Sequence, residues 1–262
     1  FEYRDICDWF LWNPDFSVKS KINGSFVRKL REEDGLSVGY AGGFAGLVHT
    51  FLHLVPPDKY YRTEPSLYAL DEKGNRNSGG LCMSNPRTLD RVYRSCLSWL
   101  EQEENPTLIS VSINDGEMAY CRCEKCRKRL ENGENDTDLL LRFVNKIARK
   151  LKKKYPNVCV DTIAYHDAEI LPKKTVPDDN VVIRVCTTGN RETSFPKSVE
   201  DYKKTGDERL LTSVDFDQRL NGWSKIAKKI YIWDYPYNYH VINTVYPILH
   251  TLLDNVRYFA DN

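Results

Sequence analysis

An excess charge of either sign is the first thing this 262-residue sequence lacks: 38 Lys and Arg stand against 37 Asp and Glu, a formal balance of +1. That balance argues against wholesale wrapping of nucleic acid, although a local basic patch remains compatible with it. Long hydrophobic runs are absent too; nothing approaches the roughly 18 consecutive apolar residues of a membrane-spanning helix. The glycine-rich passage Gly39–Gly46 is not followed by Gly-Lys-Ser/Thr, which excludes a phosphate loop. His49 and His53 do not form a His-Glu-x-x-His pair, and no serine stands in a nucleophile-elbow pattern. Eight cysteines are too dilute for a disulfide-scaffolded mini-protein. There is no internal repeat and no low-complexity tract. Phe1 opens the sequence with neither an initiator methionine nor a signal-peptide pattern, so the expectation is a fragment truncated at one or both ends.

What is present is a soluble globular composition, 41% hydrophobic, and an alternation of strand-like and helix-like segments. Strand candidates fall near 7–12, 38–41 or 47–52, 108–113, 158–164, 181–185 and 229–233. Helical periodicity marks residues 84–103, with Leu89, Val92, Cys96, Leu97 and Leu100 on one stripe. A second strong helix begins at Asp136 as its cap and carries Leu140, Phe143, Val144, Ile147 and Leu151 on one face. A short helix over 24–33, a helix over 217–228 and a last one over 244–259 complete the set, and residues 54–81 read as one long surface loop. The order implies βαβ units around a parallel sheet. The expected fold is α/β, a (β/α)8-type (TIM) barrel, incomplete here because about six strands are visible rather than eight, in a single barrel-like domain over 1–262.

Chemistry is expected where strands end, because a barrel enzyme gathers its reacting groups at the C-terminal edge of the sheet. The β-like run 108–113 ends in Asn114, Asp115, Gly116 and Glu117. Asp115 and Glu117 are the first candidates for carboxylate acid or base work, with Asn114 as a substrate contact, though Asn114-Asp115-Gly116 also reads as a plain turn. Trp233-Asp234-Tyr235 ends another strand, and a carboxylate between aromatic rings suits a sugar: the rings cover its apolar face and Asp234 holds a hydroxyl or activates water. A mixed aromatic core with a solvated aspartate is the competing reading. His49 is a candidate contact to a sugar hydroxyl, as are Tyr165 and His166 after the run 158–164.

Cys121, Cys123 and Cys126 supply three soft ligands, and Cys82 is the best fourth for a structural zinc; free thiols or a single disulfide are the alternatives. An all-thiolate site leaves no open position, so such a zinc would pin the loop after Asp115 and Glu117 rather than catalyse. No cofactor is expected for catalysis.

The runs Gly42–Phe51, Pro57-x-x-Tyr60, Leu81–Pro86, Ser112–Gly116 with the cysteine trio, Ala164-Tyr165 and Ile232–Tyr235 together carry a resemblance. They resemble an uncharacterised bacterial domain family encoded beside polysaccharide-degrading enzymes, a distant (β/α)8 relative of the β-hexosaminidase and α-glucuronidase glycoside hydrolases. The resemblance covers about residues 39–259. It implies a barrel catalytic domain, an oligo- or polysaccharide partner and a periplasmic or extracellular address. The resulting expectation is a glycoside hydrolase; a carbohydrate-binding or scaffold domain that kept the fold without the chemistry is the alternative.

Overall fold

The computed structural model describes residues 4, 13–22, 40–116, 119–187, 194–235 and 249–262. The elements in order are α1 (Pro14–Lys19), α2 (Phe51–Leu54), α3 (Pro57–Tyr60), β1 (Tyr68–Leu70), β2 (Arg76–Leu81), α4 (Pro86–Glu101) and β3 (Leu108–Ser110). They continue through α5 (Glu124–Glu131), α6 (Asp136–Lys152), β4 (Cys159–Ala164), β5 (Val181–Cys186), α7 (Phe195–Thr205), α8 (Leu211–Ser224), β6 (Lys229–Trp233) and α9 (Leu252–Asp261).

The fold is mixed α/β. Strands β3, β4, β5 and β6 form a four-stranded parallel sheet in sequence order, and Tyr40 adds a parallel bridge to Leu108 on the outer side of β3. Neighbours in space are thus neighbours in sequence, an order compatible with part of a (β/α)8-like arrangement. Fully closed circuitry is not seen among the described residues: β6 is the last strand, and all five of its residues are half-buried while those of β5 are wholly buried. A separate antiparallel hairpin, β1–β2, stands beside the sheet.

One face of the sheet packs Ile109, Val111, Val160, Val181, Ile183 and Val185 against the apolar stripes of α4 and α6, notably Val92, Cys96, Phe143, Val144 and Ile147. The other face is partly polar. Asp161 and Arg184 are both buried there and form a fork, Nε to Oδ2 at 3.1 Å and Nη2 to Oδ1 at 2.7 Å. The same guanidinium bonds Tyr40 and the carbonyl of Leu47, and lies 4.8 Å from the Tyr40 ring and 5.3 Å from that of Trp233. Burial pushes the Asp161 carboxyl up, opposed by Arg184 and by hydrogen bonds from Ser110 and Tyr40.

The cap of helix α6 is Asn135, not Asp136. The Asn135 side chain takes the N–H of Asp138, and Asp138 returns a bond to the N–H of Asn135, so the reciprocal pair decides the start. The stretch 54–81 is likewise not one loop. Pro57 opens α3, Tyr68 OH donates to the Val55 carbonyl at 3.0 Å, and β2 closes on β1 with Gly80 so near Ala119 that a Cβ would stand 1.9 Å from its carbonyl oxygen. Nor is 47–52 a strand: it turns through His49 into α2. The candidates at 7–12 and 24–33 lie outside the described residues, as does most of the stretch before α9, which itself begins at Leu252 rather than near 244. No described helix is long and apolar enough to cross a membrane.

Candidate functional site

The C-terminal ends of β3, β4, β5 and β6 bring one group of side chains to a common edge. The segment before α2 is sewn to the end of β3: Thr50 Oγ1 donates to the Ser110 carbonyl at 3.0 Å, Ser112 N–H donates to Thr50 Oγ1 at 3.0 Å, and Phe51 N–H donates to the Ser112 carbonyl at 3.1 Å. This places His49 against β3. Its Nδ1 lies 2.9 Å from the Ile113 carbonyl, and since a carbonyl only accepts, Nδ1 carries the proton.

Asn114 is buried and structural in its contacts. Its Oδ1 accepts from Leu52 N–H at 3.3 Å and its Nδ2 donates to the Gly79 carbonyl at 2.8 Å, which ties the edge of the sheet to the hairpin. Asp115, one residue on, is exposed; it accepts from the Gly116 N–H at 2.9 Å, and its charge acts on the Tyr165 hydroxyl. Burial, then the Asp115 charge, raises the Tyr165 phenol above its ordinary value, so it stays a donor. The Tyr165 ring sits 5.8 Å from that of His49 and 4.0 Å from that of His166. His49, at φ 55°, and His166, at φ 50°, both adopt the left-handed backbone that few non-glycine residues accept.

From β5 and β6 come Thr187 and Asp234. Thr187 Oγ1 donates to Asp234 Oδ1 at 2.6 Å, and the Tyr235 N–H adds a second bond to that oxygen at 3.0 Å. Trp233 is half-buried, with its ring beside Arg184 and 6.3 Å from that of Tyr235. So His49, Asp115, Tyr165 and His166 form one cluster at the ends of β3 and β4, Asp234 and Tyr235 stand at the end of β6 with β5 and Thr187 between, and Glu117 lies outside the described residues. Thr187 escaped the sequence reading, although its position directly after a β-branched run was the same signal that marked Asp115 and Asp234.

The cysteine reading is firmer. Cys82, at the end of β2, meets Cys121, Cys123 and Cys126 so that all four sulfurs lie within 4.8 Å of one another; three are buried and Cys123 is half-buried. All four are free thiols, so the single disulfide is corrected. A zinc–sulfur bond of about 2.3 Å in a tetrahedron requires sulfur–sulfur edges near 3.8 Å. The Cys82 and Cys123 sulfurs stand 3.8 Å apart. Leu70 N–H donates to Cys121 Sγ at 3.4 Å, and Cys126 Sγ lies 3.2 Å from Ser84 Oγ, the outer partners that orient metal-binding thiolates. This cluster can coordinate a structural metal ion, and it clamps the hairpin to the segment that follows Asp115.

The family described as a domain of unknown function (DUF4838) matches residues 1–262. The chain belongs to that family. Among solved structures, the β-N-acetylhexosaminidase from Bacteroides fragilis NCTC 9343 shows a distant likeness to this DUF4838 domain: 19% identity and a TM-score of 0.35, over 60% of this chain and 28% of the other. The DUF4838 chain therefore spans under a third of that enzyme's length. No curated protein matches it.

Proposed function

We propose that this domain is a glycoside hydrolase working on a complex carbohydrate at the C-terminal edge of its parallel sheet, in a (β/α)8-type barrel that extends beyond β6. The observation that carries the reading is the junction of Asp115, Tyr165 and His49 from three separate segments at the edge that also presents Asp234. The half-buried length of β6 suits addition of a further strand. In this mechanism Asp115 delivers a proton to the glycosidic oxygen as the bond to the anomeric carbon breaks. Asp234, held in place by Thr187, positions or deprotonates the attacking water. His49 and His166 hold sugar hydroxyls, Tyr165 orients Asp115, and Tyr235 with the edge of Trp233 covers the apolar face of the ring. Glu117, two residues on in the sequence, is the alternative acid.

A second reading, a carbohydrate-binding domain without turnover, draws on the two donors that engage Asp234 Oδ1, since an oxygen so occupied serves as a fixed acceptor. The test is a panel of bacterial, plant and host polysaccharides assayed for binding and for reducing-end release, with Asp115→Asn and Asp234→Asn in parallel. Release that the variants lose while retaining binding supports the hydrolase. Binding without release in any of the three proteins moves the assignment to the binding domain, and no binding at all overturns the carbohydrate reading.

A further inference from the structure

A cavity of about 360 Å3, sharing no residue with the strand-end edge, opens between α5 and α6. Lys125, Lys128 and Arg129 line it from α5, Arg142 and Lys146 from α6, and Ser84 from the turn after β2; no carboxylate lines it. Its size is at the small end of ligand sites, which run from about 300 to 1,000 Å3. In a chain whose charges balance to +1, five cations around one concavity are a local excess that composition does not explain.

Nor does the fold call for them. Lys128 and Arg129 occupy the last turn of α5, where a cation complements the helix dipole, but Lys125 stands in its first turn, where it opposes the dipole, and Arg142 and Lys146 are in the body of α6. Pairs of like charge three or four residues apart on a helix cost a few tenths of a kcal/mol each, about 0.2–0.5. Three of the five are neutralised from outside the cavity: Lys128 by Glu124 at 2.6 Å, and Arg142 and Arg129 by Glu134 at 2.7 and 3.5 Å. Lys125 and Lys146 make no ion pair or hydrogen bond among the described residues. Charge compensation of a neighbouring tetrathiolate metal site would use one or two cations, not a ring of five.

We infer that this cavity is a binding site for a tetrahedral oxyanion ester, a sulfate or phosphate group carried on a small polar body. Cations converge on it from two helices, which matches a group with three terminal oxygens. A planar carboxylate would be satisfied by a single guanidinium fork. The charge is met by side chains whose aliphatic stems line the walls beside Met83 and Leu139.

Calorimetric titration at low ionic strength with glucose 6-sulfate, glucose 6-phosphate and unmodified glucose tests this. Both esters are expected to bind and glucose is not; whichever ester binds tighter identifies the source, a sulfated saccharide or a phosphorylated metabolite. The double variant Lys125→Ala/Lys146→Ala should weaken ester binding by at least about tenfold. Lys146→Met, which keeps the stem and removes the charge, should weaken it by a smaller factor, and Lys203→Ala on α7 should leave it unchanged. Absence of ester binding, equal binding of glucose, or undiminished affinity in the folded double variant overturns the assignment. Loss of polysaccharide hydrolysis in Asp115→Asn with intact ester binding would show the two sites to be independent.

Discussion

Asp138 is the side chain on which the candidate site most depends without belonging to it. It is fully buried, and its carboxylate accepts four backbone N–H groups: Asn135 and Lys173 on Oδ2, each at 2.9 Å, and Lys174 at 2.9 Å with Thr175 at 2.6 Å on Oδ1. The first of these closes the start of α6; the other three hold the loop that follows Tyr165 and His166. Thr137 Oγ1 to the Ile170 carbonyl at 2.7 Å and Asn135 Nδ2 to that of Leu171 at 2.8 Å fasten the same loop to the same turn. In Asp138→Asn one oxygen becomes an NH2, so two of the four N–H groups face a donor whichever way the amide is turned. Each lost acceptor costs about 1–3 kcal/mol when buried, and the exposure of Lys173 and Lys174 lets water recover part of it, giving a net loss of about 2–4 kcal/mol. Burial pushes this carboxyl up, but the four N–H donors outweigh it and hold its pKa below the ordinary value. A depressed carboxylate stabilises the fold above its unfolded pKa of about 3.9, and that contribution is lost as pH falls through the lower folded value. Urea unfolding at neutral pH and across the acid range measures both effects. A loss under about 1 kcal/mol, or an acid limb in Asp138→Asn as steep as in the parent protein, would refute the account.

The metal cluster and the buried fork give two further expectations. Protein purified without chelator should carry one zinc per chain by elemental analysis, and Cys82→Ser should lose it together with about 2–4 kcal/mol of stability, because the hairpin is then released from the segment after Asp115; four freely titrating thiols and no metal in the parent would sink this. Arg184→Ala leaves the buried Asp161 carboxylate without its cation, with only the Ser110 and Tyr40 hydroxyls beside it, and should cost about 3–5 kcal/mol in urea unfolding, whereas replacing both members by apolar residues of similar volume, Asp161→Leu with Arg184→Met, should recover most of that loss; equal destabilisation by single and double variants would count against the fork as the cause.

These three sites also mark where the sequence is legible. Strand β6 and helix α6 could be read because their signals are local: five alternating or β-branched residues before Asp234, and a stripe repeating along α6. The helix start is legible as well, since Asn135 followed three residues on by an acid is a capping box. The run 54–81 is not, because α3 has four residues and β1 three, too short for any period, and contacts such as Tyr68 to Val55 hold them in place. The Cys trio announces itself by spacing, whereas its fourth member is fixed by where β2 ends.

The Asp161–Arg184–Tyr40 network shows most plainly what pattern leaves open. Asp161 and Arg184 each interrupt an apolar strand, which tells a reader that one face of the sheet is not a pure hydrocarbon layer. Which face each occupies follows from alternation, but whether they meet depends on register: Asp161 pairs with Val182 and Ile163 with Arg184, so the two charges sit diagonally on one face, within a guanidinium's reach. A slip of one residue would put them on opposite faces, each buried without its partner, at a cost larger than most single contacts in the fold. The pair therefore selects the register of β4 against β5, and with it the alignment that brings Tyr165 and Thr187 to the same edge as Asp234. The polar face is then part of how the candidate site is built.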